Sequence, residues 1–153
     1  MRGSAAHLPR LGGAALDLFS PHPDIVSERL RTLDELPRMR HGCLIVTLDT
    51  LMQRLPPQQY VQARAFQFAR GERLDLEPFR ARLIEAGYAS VSQVHSPGEF
   101  AVRGSLFDVY PMGAPEPLRV DLFDEQIEAI RSFDPDTQRS LQPIERVRLL
   151  PAR

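Results

Sequence analysis

A chain of 153 residues with 42% hydrophobic, 25% charged and 7% aromatic residues and no Trp has the composition of a soluble globular protein. No apolar run reaches the roughly 18 residues of a spanning helix and no secretory apolar core stands at the N-terminus, so the cytoplasm is the expected address. The net charge of −1 gives no overall field toward nucleic acid, and all 19 Lys+Arg residues are Arg, which excludes a phosphate-binding loop or a Schiff base, since each needs a Lys.

Residues 1–15, rich in Ala, Gly and Arg and without a period, are expected to be an unstructured leader. Pro21-His22-Pro23 leads to Asp24 as a helix N-cap, followed by Val26, Leu30 and Leu33 at helical spacing and a stop at Pro37. Cys43 to Leu48 is a β-branched apolar run that reads as a strand buried in a parallel sheet, and Asp49 can cap the short turn before Pro56-Pro57. One such strand without neighbours implies that residues 16–64 are part of a larger α/β domain, with a boundary near Tyr60 to Arg64.

From Ala65 the pattern changes to short strands and turns. Ala65 to Ala69 reads as a strand, and Asp75 as the cap of a helix burying Leu76, Phe79, Leu83 and Ala86, with a left-handed stop at Gly87 and Tyr88 packing behind it. Strands follow at Ser90 to Val94, Glu99 to Arg103, Ser105 to Tyr110, Leu118 to Phe123, Ile127 to Phe133 and Val147 to Leu149. Residues 65–153 are thus expected to be an α+β unit, a mainly antiparallel sheet with a helix on one face.

Alternation along Leu118 to Phe123 places Leu118, Val120 and Leu122 on one face and Arg119, Asp121 and Phe123 on the other. A Phe among charges is either covered by a neighbouring loop or exposed as an anchor for a partner protein. Phe100 and Val102 share the inward face of their strand, so Arg103 points toward the side expected for Phe123, as an ordinary solvated Arg or as part of the same surface, and Gly104 permits a bend after it. Asp121, Asp124, Glu125 and Glu128 resemble a divalent-metal cluster, but Asp124 to Gln126 reads as a hairpin turn whose charges stay in water. No His has a Ser, Cys or carboxylate at triad spacing, and the single Cys43 reads as a small buried hydrophobe that can form neither an internal disulfide nor a zinc cluster. No catalytic apparatus, metal or cofactor is expected.

The ordered runs Gly98-Glu99-Phe100-Ala101-Val102-Arg103-Gly104, Phe107-Asp108-Val109-Tyr110-Pro111, Pro117 to Asp124, and Ile130 to Pro135 through Gln138-Arg139-Ser140-Leu141 closely resemble the UvrB-like interaction domain. That module occurs in bacterial transcription-repair coupling factors and, in related form, in the excinuclease protein UvrB. Phe19 to His22, Asp24 to Leu30 and Leu51 to Pro56 resemble the coupling factors' first, degenerate helicase-like domain, which favours a fragment of that family over the UvrB alternative. The resemblance implies a protein-binding module that recruits the excinuclease protein UvrA in nucleotide excision repair. The family's contact residues for UvrA fall on Arg103, Arg119 and Phe123, the trio that alternation also selects. In the full-length family RNA polymerase and DNA are further partners and an ATP-driven translocase motor is present; this fragment is expected to lack the motor and to be no enzyme. The family's C-terminal domain masks the docking face, so a chain lacking it is expected to be open. A different class of function is a single-strand nucleic-acid binder using Arg and exposed aromatics, against which the near-neutral charge argues.

Overall fold

The computed structural model describes residues 4–10 and 22–152. The expectation of an α+β architecture with antiparallel sheets holds. Ten strands are described: β1 (Ser4–His7), β2 (Gly42–Ile45), β3 (Phe66–Ala69), β4 (Ala89–Ser90), β5 (Glu99–Arg103), β6 (Leu106–Val109), β7 (Leu118–Phe123), β8 (Gln126–Phe133), β9 (Ser140–Pro143) and β10 (Arg146–Leu149). The helices are α1 (Pro23–Glu35), α2 (Leu48–Leu51), α3 (Gln58–Ala63) and α4 (Leu76–Glu85), with a 3-10 turn at Leu36–Arg38. No helix among the described residues is long and apolar enough to cross a membrane.

Three sheets form. The largest runs β4-β5-β6-β7-β8-β9, antiparallel except at the β4–β5 edge, and β3 pairs antiparallel with β10. The third is a parallel β1–β2 pair, with Ser4 opposite Gly42 and His7 opposite Ile45, which corrects the expectation of an unstructured leader at residues 4–7; residues 1–3 and 11–15 of that leader lie outside the described residues. A sequence scan misses this strand because Ser-Ala-Ala-His carries no hydrophobic alternation; its order comes from a long-range ladder.

Helix α4 follows from local chemistry. Asp75 accepts from the Glu77 amide at 3.2 Å, and Pro78 sits in the first turn, where its missing N–H costs nothing. At the other end Gly87, at φ +93°, lets the Tyr88 amide reach the Leu83 carbonyl at 2.9 Å and its own amide reach that of Ile84 at 3.0 Å. The face bearing Phe79, Leu83 and Ala86 is buried, and the Phe79 ring meets Phe66 and Phe68 edge-on at 5.7 Å and Phe107 at 5.4 Å. One aromatic side chain thereby joins the β3–β10 pair to the six-stranded sheet, and burying a Phe contributes about 1.5–3 kcal/mol.

The core runs across Tyr60–Arg64: Leu30 before it and Val61 within it belong to the same buried cluster as Phe66, Phe107 and Leu149 beyond it. The Gly113 amide donates to Ser27 Oγ at 2.7 Å, and a Cβ at Gly113 would stand 3.2 Å from both Arg31 Cβ and Leu150 Cδ1, so α1 lies close over that loop.

Other expectations from the sequence are corrected by the structure. His22, not Asp24, caps α1, through Nδ1 at 3.4 Å from the Asp24 amide, because Pro23 occupies the first helical position. Thr47, not Asp49, caps α2, accepting from the Thr50 amide at 3.3 Å. Cys43 is exposed rather than buried, since its strand lies in a sheet of two and Ile45, Leu48, Leu51 and Met52 beyond it are exposed as well. Val102 shares the inward direction of Phe100 and pairs with buried Phe107, yet is itself exposed at 36%, one residue before the end of β5. The strand expected at Ser90 to Val94 shortens to two residues, and β9 and α3 are additional elements.

Candidate functional site

The six-stranded sheet has one face against α4, carrying Phe107, Val109, Leu118, Val120, Leu122 and Ile130. Pairing defines the opposite face. Asp108 stands opposite Ala101 on β5 and Arg119 on β7, Arg119 is opposite Arg131 on β8, and Leu106 links Arg103 to Asp121 in the next row. Arg103, Arg119 and Phe123 therefore emerge from the same side of the sheet, as alternation predicts.

Their surroundings differ sharply. Phe123 ends β7 at the hairpin tip and is 64% exposed, so no loop covers it. The turn beyond it consists of Asp124 (φ 45°) and Glu125 (φ 67°), between Phe123 and its partner Gln126, which is the geometry of a two-residue primed turn. An extra residue on β8 opposite Asp121/Leu122 bulges the ladder and raises the local twist at the ring.

Arg119 does not project into solvent, contrary to the sequence expectation: its side chain is only 16% exposed. Its Nε donates to Asp108 Oδ1 at 2.8 Å and its Nη2 to Oδ2 at 2.9 Å, a bidentate pair. Nη1 donates to the Gln138 carbonyl at 3.2 Å, Nη2 also to Gln138 Oε1 at 3.3 Å, and the guanidinium lies 4.6 Å over the Phe133 ring. These bonds to Asp108 raise the Arg119 pKa further above its ordinary value, against the opposing effect of burial.

Asp108 is the residue that a search of the sequence for site residues passes over. It is 1% exposed, between buried Phe107 and Val109, and its Oδ2 also accepts from Arg103 Nη2. The available signal is a lone carboxylate inside an otherwise apolar strand, a group that is costly to bury unless paired. Arg103 is 48% exposed, and Arg131, on the far side, is held by Asp121 at 2.6 Å.

The 134–139 loop closes the floor of this face. Asp134 Oδ1 accepts from the amides of Asp136 (3.0 Å) and Thr137 (2.7 Å) and from the Thr137 hydroxyl (3.0 Å), and the Thr137 bonds hold its pKa below the usual carboxylate value. Gln138, at φ 61°, donates through Nε2 to the carbonyls of Pro135 (2.7 Å) and Val94 (3.3 Å). Phe133, Val94 and Ala101 form a small second core beneath it.

The acidic residues of the hairpin are dispersed: Asp121 pairs with Arg131 and Glu125 with Arg73, and among the described residues no three His, Cys, Asp or Glu side chains group as metal ligands. What the face offers chemically is an exposed benzyl ring, a half-exposed guanidinium and a buried carboxylate that anchors it.

A family model described as the UvrB interaction domain matches residues 66–153. Among curated proteins the chain is similar to the transcription-repair-coupling factors of Escherichia coli K12, 48% identical over 136 residues, and Haemophilus influenzae, 47% identical over 136 residues. That of Staphylococcus aureus MRSA252 is 40% identical over 125 residues. These alignments cover 89%, 89% and 82% of this chain but only 12%, 12% and 11% of the relatives' own length. With more than half of its residues matched by that model, in an order that places β3 to β10 and α4 within it, the chain belongs to the UvrB interaction domain family.

Proposed function

We propose that the face bearing Phe123 and Arg103 docks the excinuclease protein UvrA, and that the chain acts as the recruiting module of a cytoplasmic transcription-repair coupling factor in nucleotide excision repair. The observation that carries the reading is an aromatic ring left 64% exposed on the same side of the sheet as a half-exposed Arg. Large aromatics and Arg dominate the binding energy of protein interfaces, and a benzyl group in water is available to fill an apolar pocket. The family match and the names of the relatives support UvrA as the partner. On the same reading, RNA polymerase, DNA and an ATP-driven motor are matters for the rest of such a protein, and residues 16–64 are a partial α/β domain next to the interaction domain at 65–153.

Capture of purified UvrA by the complete chain and by its Phe123→Ala, Arg103→Ala and Arg119→Ala variants, with circular dichroism of each, tests this. Loss of capture by folded Phe123→Ala and Arg103→Ala is the expected result. Equal capture by all variants refutes the face, and steep, salt-sensitive binding of short oligonucleotides in its place would point to the nucleic-acid reading.

A further inference from the structure

Resting on the docking role just proposed, we infer that Asp108 is a positioning residue: it takes up the charge of Arg119 beneath the surface and leaves Arg103 as the one guanidinium offered to the partner. The complementary surface then carries a single carboxylate beside an apolar pocket.

The charges on the face lead to this result. Asp121 and Arg131 neutralise each other, as do Asp108 and Arg119, so among these residues one positive charge is left over, on Arg103. Arg119 has its Nε and both terminal nitrogens engaged by Asp108 and Gln138 and its flat side on Phe133, and with 16% of its side chain exposed it offers a partner much less than Arg103 does at 48%. Arg103 uses one N–H of Nη2 on Asp108 Oδ2, which leaves the Nη1–Nη2 edge of its fork and its Nε–H for a carboxylate outside. A tethered Arg also has less freedom to lose on binding than a free one. The ladder places Phe123 two strands across and two residues along from Arg103, about 12 Å away, which sets the spacing between the partner's acid and its pocket.

The experiment titrates the complete chain with purified UvrA at several salt concentrations. Phe123→Ala is expected to weaken binding about thirty-fold with an unchanged salt dependence. Arg103→Ala weakens binding and flattens the salt dependence, because a charge pair with the partner is gone. The double replacement Asp108→Leu/Arg119→Met, which exchanges a buried ion pair for apolar groups of similar size, weakens binding about three- to ten-fold while keeping the wild-type salt dependence. Should circular dichroism find that variant unfolded, Asp108→Asn/Arg119→Met carries the same expectation. A double variant whose salt dependence flattens like that of Arg103→Ala shows that Arg119 pairs with the partner directly and overturns the inference, as does a folded double variant that binds as tightly as wild type. Wild-type binding by Phe123→Ala removes the docking face itself, a failure separate from that of Asp108's role.

Discussion

Arg119 grips Asp108 by two parallel bonds, Nε to Oδ1 at 2.8 Å and Nη2 to Oδ2 at 2.9 Å, at a carboxylate that solvent hardly touches. Removing Arg119 strands Asp108 Oδ1 and leaves the buried carboxylate with half-exposed Arg103 as its remaining ion-pair partner. Arg119→Ala is therefore expected to destabilise the fold by about 3–5 kcal/mol, whereas Arg103→Ala, at a half-exposed partner, costs about 1 kcal/mol or less. Urea unfolding of both variants checks the difference; equal losses would mean that Asp108 is effectively solvated.

The exposed ring predicts the opposite balance of effects. Phe123→Ala removes no core contact and should leave unfolding free energy within about 0.5 kcal/mol of wild type, yet cost about 2 kcal/mol or more in partner binding. Calorimetric titration beside thermal unfolding measures both quantities, and a large stability loss would place the ring in a structural role instead.

Tyr88 lies behind the Gly87 stop, where its hydroxyl donates to the Leu150 carbonyl at 2.7 Å and accepts from the Met112 amide at 3.1 Å. Burial pushes its pKa upward, so the phenol stays protonated throughout the ordinary pH range. Tyr88→Phe strands two buried backbone groups and should cost about 1–3 kcal/mol by denaturant titration; a neutral effect would indicate that water replaces the hydroxyl.

At the Asp124–Glu125 turn two side-chain-bearing residues hold positive φ. Asn-Gly fits that backbone with less strain, and Asp124→Asn/Glu125→Gly is expected to raise stability by roughly 1 kcal/mol despite losing the exposed Glu125–Arg73 pair. An unchanged or lowered melting temperature would contradict this account of the turn.

Asp134 contributes to the pH dependence. The Thr137 bonds depress its folded-state pKa below the ordinary 3.8, so its contribution is present above the unfolded value and is lost as pH falls through the folded one. The acid limb of wild-type stability below about pH 4 should be flatter in Asp134→Asn, as read from unfolding midpoints across about pH 2–6; identical limbs would remove Asp134 from the acid response.

Much of this was legible from local chemistry. The α4 helix, its Asp75 cap and its Gly87 stop follow from short-range rules, and alternation in β7 separates Leu118, Val120 and Leu122 from Arg119 and Phe123 because the pleat has a period of two. Strand alternation fixes a direction but not the fate of a long side chain. It puts Arg119 on the correct face, while the bond to Asp108 eleven positions away turns it back along the sheet. The β1–β2 ladder and β9 escaped for a related reason: Ser4–His7 and Ser140–Pro143 have weak patterns of their own and are ordered by distant neighbours.

The common packing of Leu30 and Val61 with Phe66 and Leu149 has a practical corollary for anyone transplanting this module. Excising residues 66–153 by themselves would strip hydrophobic cover from the β3–β10 side and sever both the Ser27–Gly113 bond and the Asp34–Arg148 ion pair. A chimera meant to display Phe123 and Arg103 on a foreign scaffold should therefore carry the 22–64 segment with it.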